Sequence, residues 1–292
     1  MKGSNKKVCV ILVNYNGLSD TLECIQSLCN STVKADIIVV DNASEVDECR
    51  LINENYAVIS LRSDKNLGFA GGNNLGLEYA VRNHYEYVIL LNNDTVVADD
   101  LIEVLISRCD EGTVTTPTIY YEDGKSVWSA GGYINKFTGA ARNIQTGYQY
   151  SKEPVYCSFA SGCCICAKIS TIKKVGFLDE SFFMYCEDAD YCIKLFNKGI
   201  RILYLPEAQL IHKVSKSTGG INSSFCNYYL TRNRLRNIKQ NTDYFCFTAL
   251  PVTLLEKIIR MIQFCINGKD WKSICDGIYD FIHNIYGRSD KY

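Results

Sequence analysis

Four short β-rich runs, at residues 8–13, 36–40, 57–61 and 87–91, alternate with helical patterns near residues 19–28, 46–53 and 72–83. Strand and helix in strict alternation predict a mainly parallel sheet covered by helices on both faces, an α/β fold. Ligands of such sheets bind beyond the carboxyl ends of the strands. The polar residues at those ends are therefore the informative ones: Asn14-Tyr15-Asn16, Asp41-Asn42, the loop near Asn66, and Asn92-Asn93-Asp94.

Between residues 112 and 166 the pattern changes to short strands rich in glycine and aromatics, as in "WSAGGYINKFTG", which reads as an antiparallel or mixed extension of the sheet. A helix follows from about Glu187 to Asn197, with Gly199 as its stop, then a strand at 200–205 and a loop ending in His212. Beyond Asn222 the chain reads as entirely helical. The expected organisation is an α/β domain over residues 1–221 and a helical extension over 222–292, packed on that domain or lying at a membrane surface.

Several classes are excluded. The first turn, "NYNGLSD", has one glycine and cannot supply a dinucleotide fingerprint, and the glycine-rich "NLGFAGGNNLG" follows the third strand instead. Walker and nucleophile-elbow motifs are absent. The 15 cysteines follow no repeated spacing and sit in apolar surroundings, as reduced core residues of a cytosolic protein do. Cys163 and Cys166 form a C-x-x-C, but no second pair or nearby histidine completes a zinc site. The lysines before residue 8 imitate a signal peptide; the six-residue apolar run that follows is too short and ends in Asn-Tyr-Asn, so it reads as a first strand. No run of about 18 apolar residues predicts a spanning helix. The net charge of −1 hides an asymmetry: residues 213–292 hold 12 Lys+Arg against 6 Asp+Glu, a charge of +6, and the rest carries −7. A basic final third suits an anionic partner, phosphate or membrane surface.

Asp41 has two readings at this stage. A carboxylate at a strand end is often a helix cap or turn former; beside Asn14 and Asn16 it can instead accept the N–H of a pyrimidine base.

Five segments, "VILVNYNG", "IIVVDNAS", "NLGFAGGNN", "YVILLNNDT" and "FFMYCEDADYCIKLFNKG", occur in an order and spacing that resembles the inverting family 2 glycosyltransferases with the GT-A fold, especially their rhamnosyltransferase-like group. The likeness covers about residues 7–240. It implies a nucleotide-diphospho-sugar donor, UDP- or dTDP-linked, a divalent cation (Mn²⁺ or Mg²⁺), and transfer of a single sugar with inversion to a saccharide or lipid-linked saccharide in cell-surface polysaccharide synthesis. Nucleic acid is not an expected partner. The implied location is cytoplasmic, with the inner face of the membrane as the second option. A catalytically silent sugar-nucleotide-binding protein on the same fold is the alternative, and a nucleotidyltransferase the third.

The resemblance also assigns roles. Asp94 looks like the last carboxylate of a D-x-D metal motif that here reads Asn92-Asn93-Asp94, and His212 falls where the family has a metal ligand. Fewer carboxylates imply that the ion arrives with the donor. Asp188 is the implied general base, with Glu187 as runner-up. Glu187 and Asp190 share a helix face that suits acceptor contacts or support of the loop. Asn14, Asn16, Asp41, Asn66, Gly68, Asn73 and Asn93 are the implied donor-nucleotide residues, with the glycines of "NLGFAGGNN" giving close backbone approach. Ser161 and Gly162 would line the sugar pocket. The processive Q-x-x-R-W motif is missing, which implies one sugar per encounter.

Two features concern partners. Arg232 and Arg236 share a helix face where they could meet a phosphate, or simply form a solvated basic face. Leu255, Ile258, Ile259, Ile262 and Ile266 recur at helical spacing opposite Glu256, Lys257, Arg260 and Gln263, and a second stripe runs through Trp271, Ile274, Ile278, Phe281, Ile282 and Ile285. Such stripes usually pack on their own domain; interfacial membrane binding is the second reading.

Overall fold

A computed structural model describes residues 7–214 and 223–292. Four parallel strands form one half of its sheet: β1 (Val8–Asn14), β2 (Asp36–Asp41), β3 (Ile59–Arg62) and β4 (Tyr87–Asn92), in the spatial order β4-β1-β2-β3. The connections are α1 (Leu18–Cys29), α2 (Glu48–Asn53) and α3 (Gly68–Arg82). Successive residues of β1 face opposite cores, which is why its run is apolar throughout. Cys9 and Ile11 pack in the core that includes Leu77 of α3, and Val8, Val10 and Leu12 in the core that includes Ile25 and Leu28 of α1.

A short β5 (Thr95–Val97) and α4 (Leu101–Ser107) lead to β6 (Thr113–Tyr120), β7 (Val127–Ala130), a separate hairpin of β8 (Gly132–Ile134) and β9 (Ala141–Asn143), β10 (Val155–Cys157) and β11 (Cys164–Lys168). Then come α5 (Ile169–Val175), α6 (Glu187–Asn197) and β12 (Arg201–His212). Beyond β4 the sheet continues β11-β6-β12-β10. β11 is antiparallel to both β4 and β6, and β12 is parallel to β6, so the extension is mixed as its sequence indicates.

Three local readings need correction. His212 ends a strand rather than a loop, because β12 resumes after a bulge between Leu205 and Gln209 and its end pairs with β5. "NLGFAGGNN" is helical from Gly68 onward, and its glycines serve packing. Gly68 has φ +72°, and a Cβ there would lie 2.1 Å from the Phe183 carbonyl oxygen; a Cβ on Gly72 would lie 2.7 Å from the Val13 side chain. Arg232 does not present its charge to a ligand. It is fully buried in α7 (Ser224–Gln240), where its guanidinium donates to the Tyr228 hydroxyl at 3.0 Å, to the Asn233 side chain at 2.9 Å, and to the carbonyls of Phe182 and Gly287 at 3.3 and 2.8 Å. Arg236 pairs with Asp179 at 3.1 Å.

The two C-terminal stripes have opposite fates. In α9 (Lys272–Ile282), Ile274 and Phe281 are buried and the helix lies against α7, where Gly277 lets it approach the Tyr228 carbonyl. In α8 (Ala249–Ile266) the aliphatic stripe faces outward, while Thr253 and Lys257 of the polar side are buried. Among the described residues no helix is long and apolar enough to cross a membrane.

Arg232→Ala should lower stability by about 3 kcal/mol, since it removes several charge-assisted hydrogen bonds and leaves a cavity under two carbonyls. A chemical-denaturation midpoint equal to that of the native chain would refute the structural role.

Candidate active site

The acids at 187–190 open α6, and the backbone that delivers them is unusual. Phe183, Tyr185 and Cys186 all have positive φ, between 63° and 71°, without being glycine. Residues rarely stay in that region unless their surroundings hold them there. Here the buried Asn233 amide donates to the carbonyls of Phe182, Met184 and Tyr185 at 2.8, 2.8 and 3.0 Å, and the Phe69 amide donates to the Phe183 carbonyl at 2.8 Å. The turn is therefore clasped between the start of α3 and the middle of α7.

Asp188 accepts hydrogen bonds from the backbone amides of Gly162, at 3.2 Å, and Ala189, at 2.8 Å. Burial raises its carboxyl above the ordinary range, against the lowering effect of those two amides. Glu187 is 5% exposed, and its Oε2 has no hydrogen-bond partner among the described residues. Burial, and then the charge of Asp188, push the Glu187 carboxyl well up. The two titrate as a pair in which one proton is favoured. Asp190 has turned to α7: Gln240 and Asn241 donate to it at 2.6 and 3.0 Å, and Lys194 lies at 2.9 Å. Of its two readings, support of the loop fits and acceptor contact does not. Ser161 is buried, and its hydroxyl accepts from the Cys163 amide at 3.2 Å.

Gly162 also ties this acid to the strand ends, because the Cys163 carbonyl next to it accepts from the Asn92 amide at 2.9 Å. Two residues on, Asp94 occupies the turn between β4 and β5, and α4 begins only at Leu101, so it does not cap that helix. His212 Nε2 lies 3.1 Å from Asp94 Oδ1 and 3.4 Å from the Asn92 side-chain nitrogen, with both Asp94 and His212 6% exposed. Trp128 meets the imidazole edge-on at 4.8 Å between centroids. The pair suits a hard cation: a carboxylate oxygen and an imidazole nitrogen converge at the separation of neighbouring ligands on one ion, about 3 Å for bonds of about 2.1 Å. His212 Nδ1 is buried without a hydrogen-bond partner among the described residues, so the ring is held by packing and by Asp94.

Beneath β1 and β2 the strand-end residues hold one another. Asn93 donates to Thr21 at 2.8 Å, Thr21 to Asn14 at 2.8 Å, and Asn14 to Glu48 at 2.7 Å; Glu48 also accepts the Gly17 amide at 3.1 Å. Asn16 accepts the Glu45 amide at 2.9 Å. Asp41 is fully buried, accepts the Ser44 amide at 3.0 Å, and forms an ion pair with Arg62. Asp41, Asp47 and Cys49 place donor atoms within 4.8 Å of one another, but Arg62 already pairs with both carboxylates of this cluster. Asn66 accepts from Asn42 at 3.2 Å and from the Gly68 amide at 2.8 Å, and Asn73 bonds back to the Phe69 carbonyl at 2.9 Å.

Sequence reasoning missed Thr21, Glu48, Arg62, Trp128 and Asn233, and placed Asn42 at a strand end without giving it a role. Asn42 and Arg62 had a signal, since both stand at the carboxyl ends of parallel strands. Glu48 and Asn233 look like ordinary surface-helix residues until the tertiary structure buries them.

Comparisons with known proteins give a family from a sequence model and a fold from solved structures. A sequence model of "Glycosyl transferase family 2" matches residues 9–170. Low-salt glycan biosynthesis hexosyltransferase Agl10 of Haloferax volcanii is 25% identical, covering 97% of this chain and 92% of that protein. Rhamnosyltransferase WbbL of Escherichia coli is 24% identical over 70% of this chain and 83% of its own. GalNAc-T7, solved with UDP, GalNAc and Mn²⁺, superposes with a TM-score of 0.62 at 18% identity over 80% of this chain; the match spans 48% of that longer one.

A carboxyl whose folded pKa is raised stabilises the fold below its unfolded pKa and loses that contribution as pH rises through the folded value. Glu187→Gln should therefore be more stable than the native chain at pH 7, and the gain should vanish below about pH 4.5. Equal pH profiles of unfolding would show that Glu187 is not held in a desolvated site.

Proposed function

This chain belongs to glycosyl transferase family 2, an inverting family, and we propose that it moves one sugar from a UDP- or dTDP-sugar to a saccharide or lipid-linked saccharide in cell-surface polysaccharide synthesis. The observation that carries this reading is the single backbone step joining Asp188, through Gly162 and Cys163, to the β4 end that bears Asp94.

In the proposed mechanism Asp188 takes the proton of the acceptor hydroxyl as that oxygen attacks the anomeric carbon. Its two backbone donors fix its orientation and oppose the rise that burial causes. Glu187, carrying the proton of the pair, leaves the charge on Asp188. Asp94 and His212 are the residues that would hold Mn²⁺ or Mg²⁺; bound with the donor pyrophosphate, such an ion offsets the charge that collects on the departing nucleoside diphosphate. Arg62 and Asp41 would form the base-recognition pair, with Arg62 shifting to expose the carboxylate. Ser161 and Gly162 line the sugar pocket beside Asp188 in this reading, and Asn14 and Asn93 support the strand ends from below. The helices beyond residue 222 would form an extension at the membrane surface.

Asp188→Asn should leave donor affinity nearly unchanged and cut turnover by at least about 10²-fold; a small loss would move the base to Glu187. Mn²⁺ should raise nucleoside diphosphate affinity, and the diphosphate should raise Mn²⁺ affinity by the same factor. Asp94→Ala should abolish most of that coupling in calorimetric titrations. Equal nucleotide affinity with Mn²⁺ and with a chelator would remove the ion from the mechanism. Selective donor binding without any turnover would favour the silent binder.

A further inference from the structure

Helix α8 is oriented opposite to an ordinary surface helix. Its polar side faces the domain: Thr253 donates to the Thr138 carbonyl, Arg234 bridges that carbonyl to Glu256, and Lys257 is 6% exposed. Its aliphatic side faces out, with Leu255, Ile259, Ile262 and Ile266 exposed to 58, 46, 50 and 79%. Phe247, just before the helix, is 94% exposed. An open groove of about 690 Å³ runs along this side between Leu255, Ile259 and Phe264. Contiguous apolar surface of this kind marks an interaction site.

Charge identifies the partner. Glu256, the one acid of α8, is held by Arg234 at 2.9 Å, while Arg260 borders the groove and Lys269 follows the helix, within a final third of charge +6. An aliphatic face bordered by cations, whose one carboxylate is already paired with Arg234, matches an amphipathic helix lying in an anionic lipid surface. Location adds a reason. The inner side of α8 is tied to the element that holds the acid turn, since Arg234, which bonds Glu256, is next to Asn233, which bonds the Tyr185 carbonyl.

Resting on the reading that the acceptor is lipid-linked, we propose that the outward face of α8 docks on an anionic lipid bilayer and so brings the acid turn to the acceptor's headgroup. The helix lies in the interface and does not span it.

The test is flotation of the full chain with phosphatidylcholine vesicles, with and without phosphatidylglycerol, against the double variant Ile258→Glu/Ile262→Glu. Both residues are exposed, so the fold should survive, which an unchanged thermal melt confirms. The native chain should bind the phosphatidylglycerol vesicles, more weakly at high salt, and the variant should lose at least about tenfold in binding. Its hydrolysis of a donor in vesicle-free solution should match the native rate. No binding by the native chain, or equal binding by the variant, overturns the proposal. So does a native dimer in lipid-free solution that the variant converts to a monomer, because a second copy would then cover the face. Vesicle binding without any donor turnover would instead leave this surface standing and sink the proposed enzymatic reading.

Discussion

The buried Asn233 amide, set against three carbonyls of the 182–185 turn, is the interaction on which the candidate site depends. Three non-glycine residues at positive φ would each cost about 1–3 kcal/mol in isolation. They persist because Asn233 from one side and the Phe69 amide from the other leave the turn no alternative set of partners. Arg232, next to Asn233, adds its own bond to the Phe182 carbonyl and pins α7 to the chain near Gly287. The C-terminal helices therefore shape the place where Asp188 and Glu187 emerge.

That placement has an electrostatic consequence. Two adjacent carboxyls are held in a desolvated pocket, with backbone donors for Asp188 and none for the Glu187 Oε2 among the described residues. The asymmetry separates the two: burial raises both carboxyls, and the amides that bond Asp188 counter the rise there. On the sheet side the logic is reversed. Asp94 has His212 beside it, Asp41 has Arg62, and Glu48 is satisfied by Asn14 and Gly17. The acids at the strand ends are paired and buried.

Much of this was legible without coordinates. Alternating runs specified β1 to β4 to within about two residues, since a strand buried on both faces and a helix buried on one leave distinct periods in the chain. The acid helix starts at Glu187 and ends at Asn197, as its pattern and the glycine stop indicate. What failed did so for a common reason. Gly68 and Gly72 read as part of a ligand loop because glycine records only that something comes close; the close neighbours are Phe183 and Val13. Arg232 read as a phosphate ligand because one-dimensional charge carries no depth. The α8 stripe showed its amphipathicity and not which side would face the domain.

The sequence by itself determined the parallel half of the sheet, the polar strand ends, the acid helix and the family, because each is encoded in local periodicity or in short contiguous motifs. Only the tertiary structure decided which polar residues face inward as supports and which remain for chemistry. Asp188 meets the backbone of Gly162, 26 residues before it; Asp94 meets His212, 118 residues on; and Asn233 meets a turn about 50 residues earlier. Such pairings arise from how sheet, acid turn and C-terminal helices pack together, and no window along the chain contains both partners.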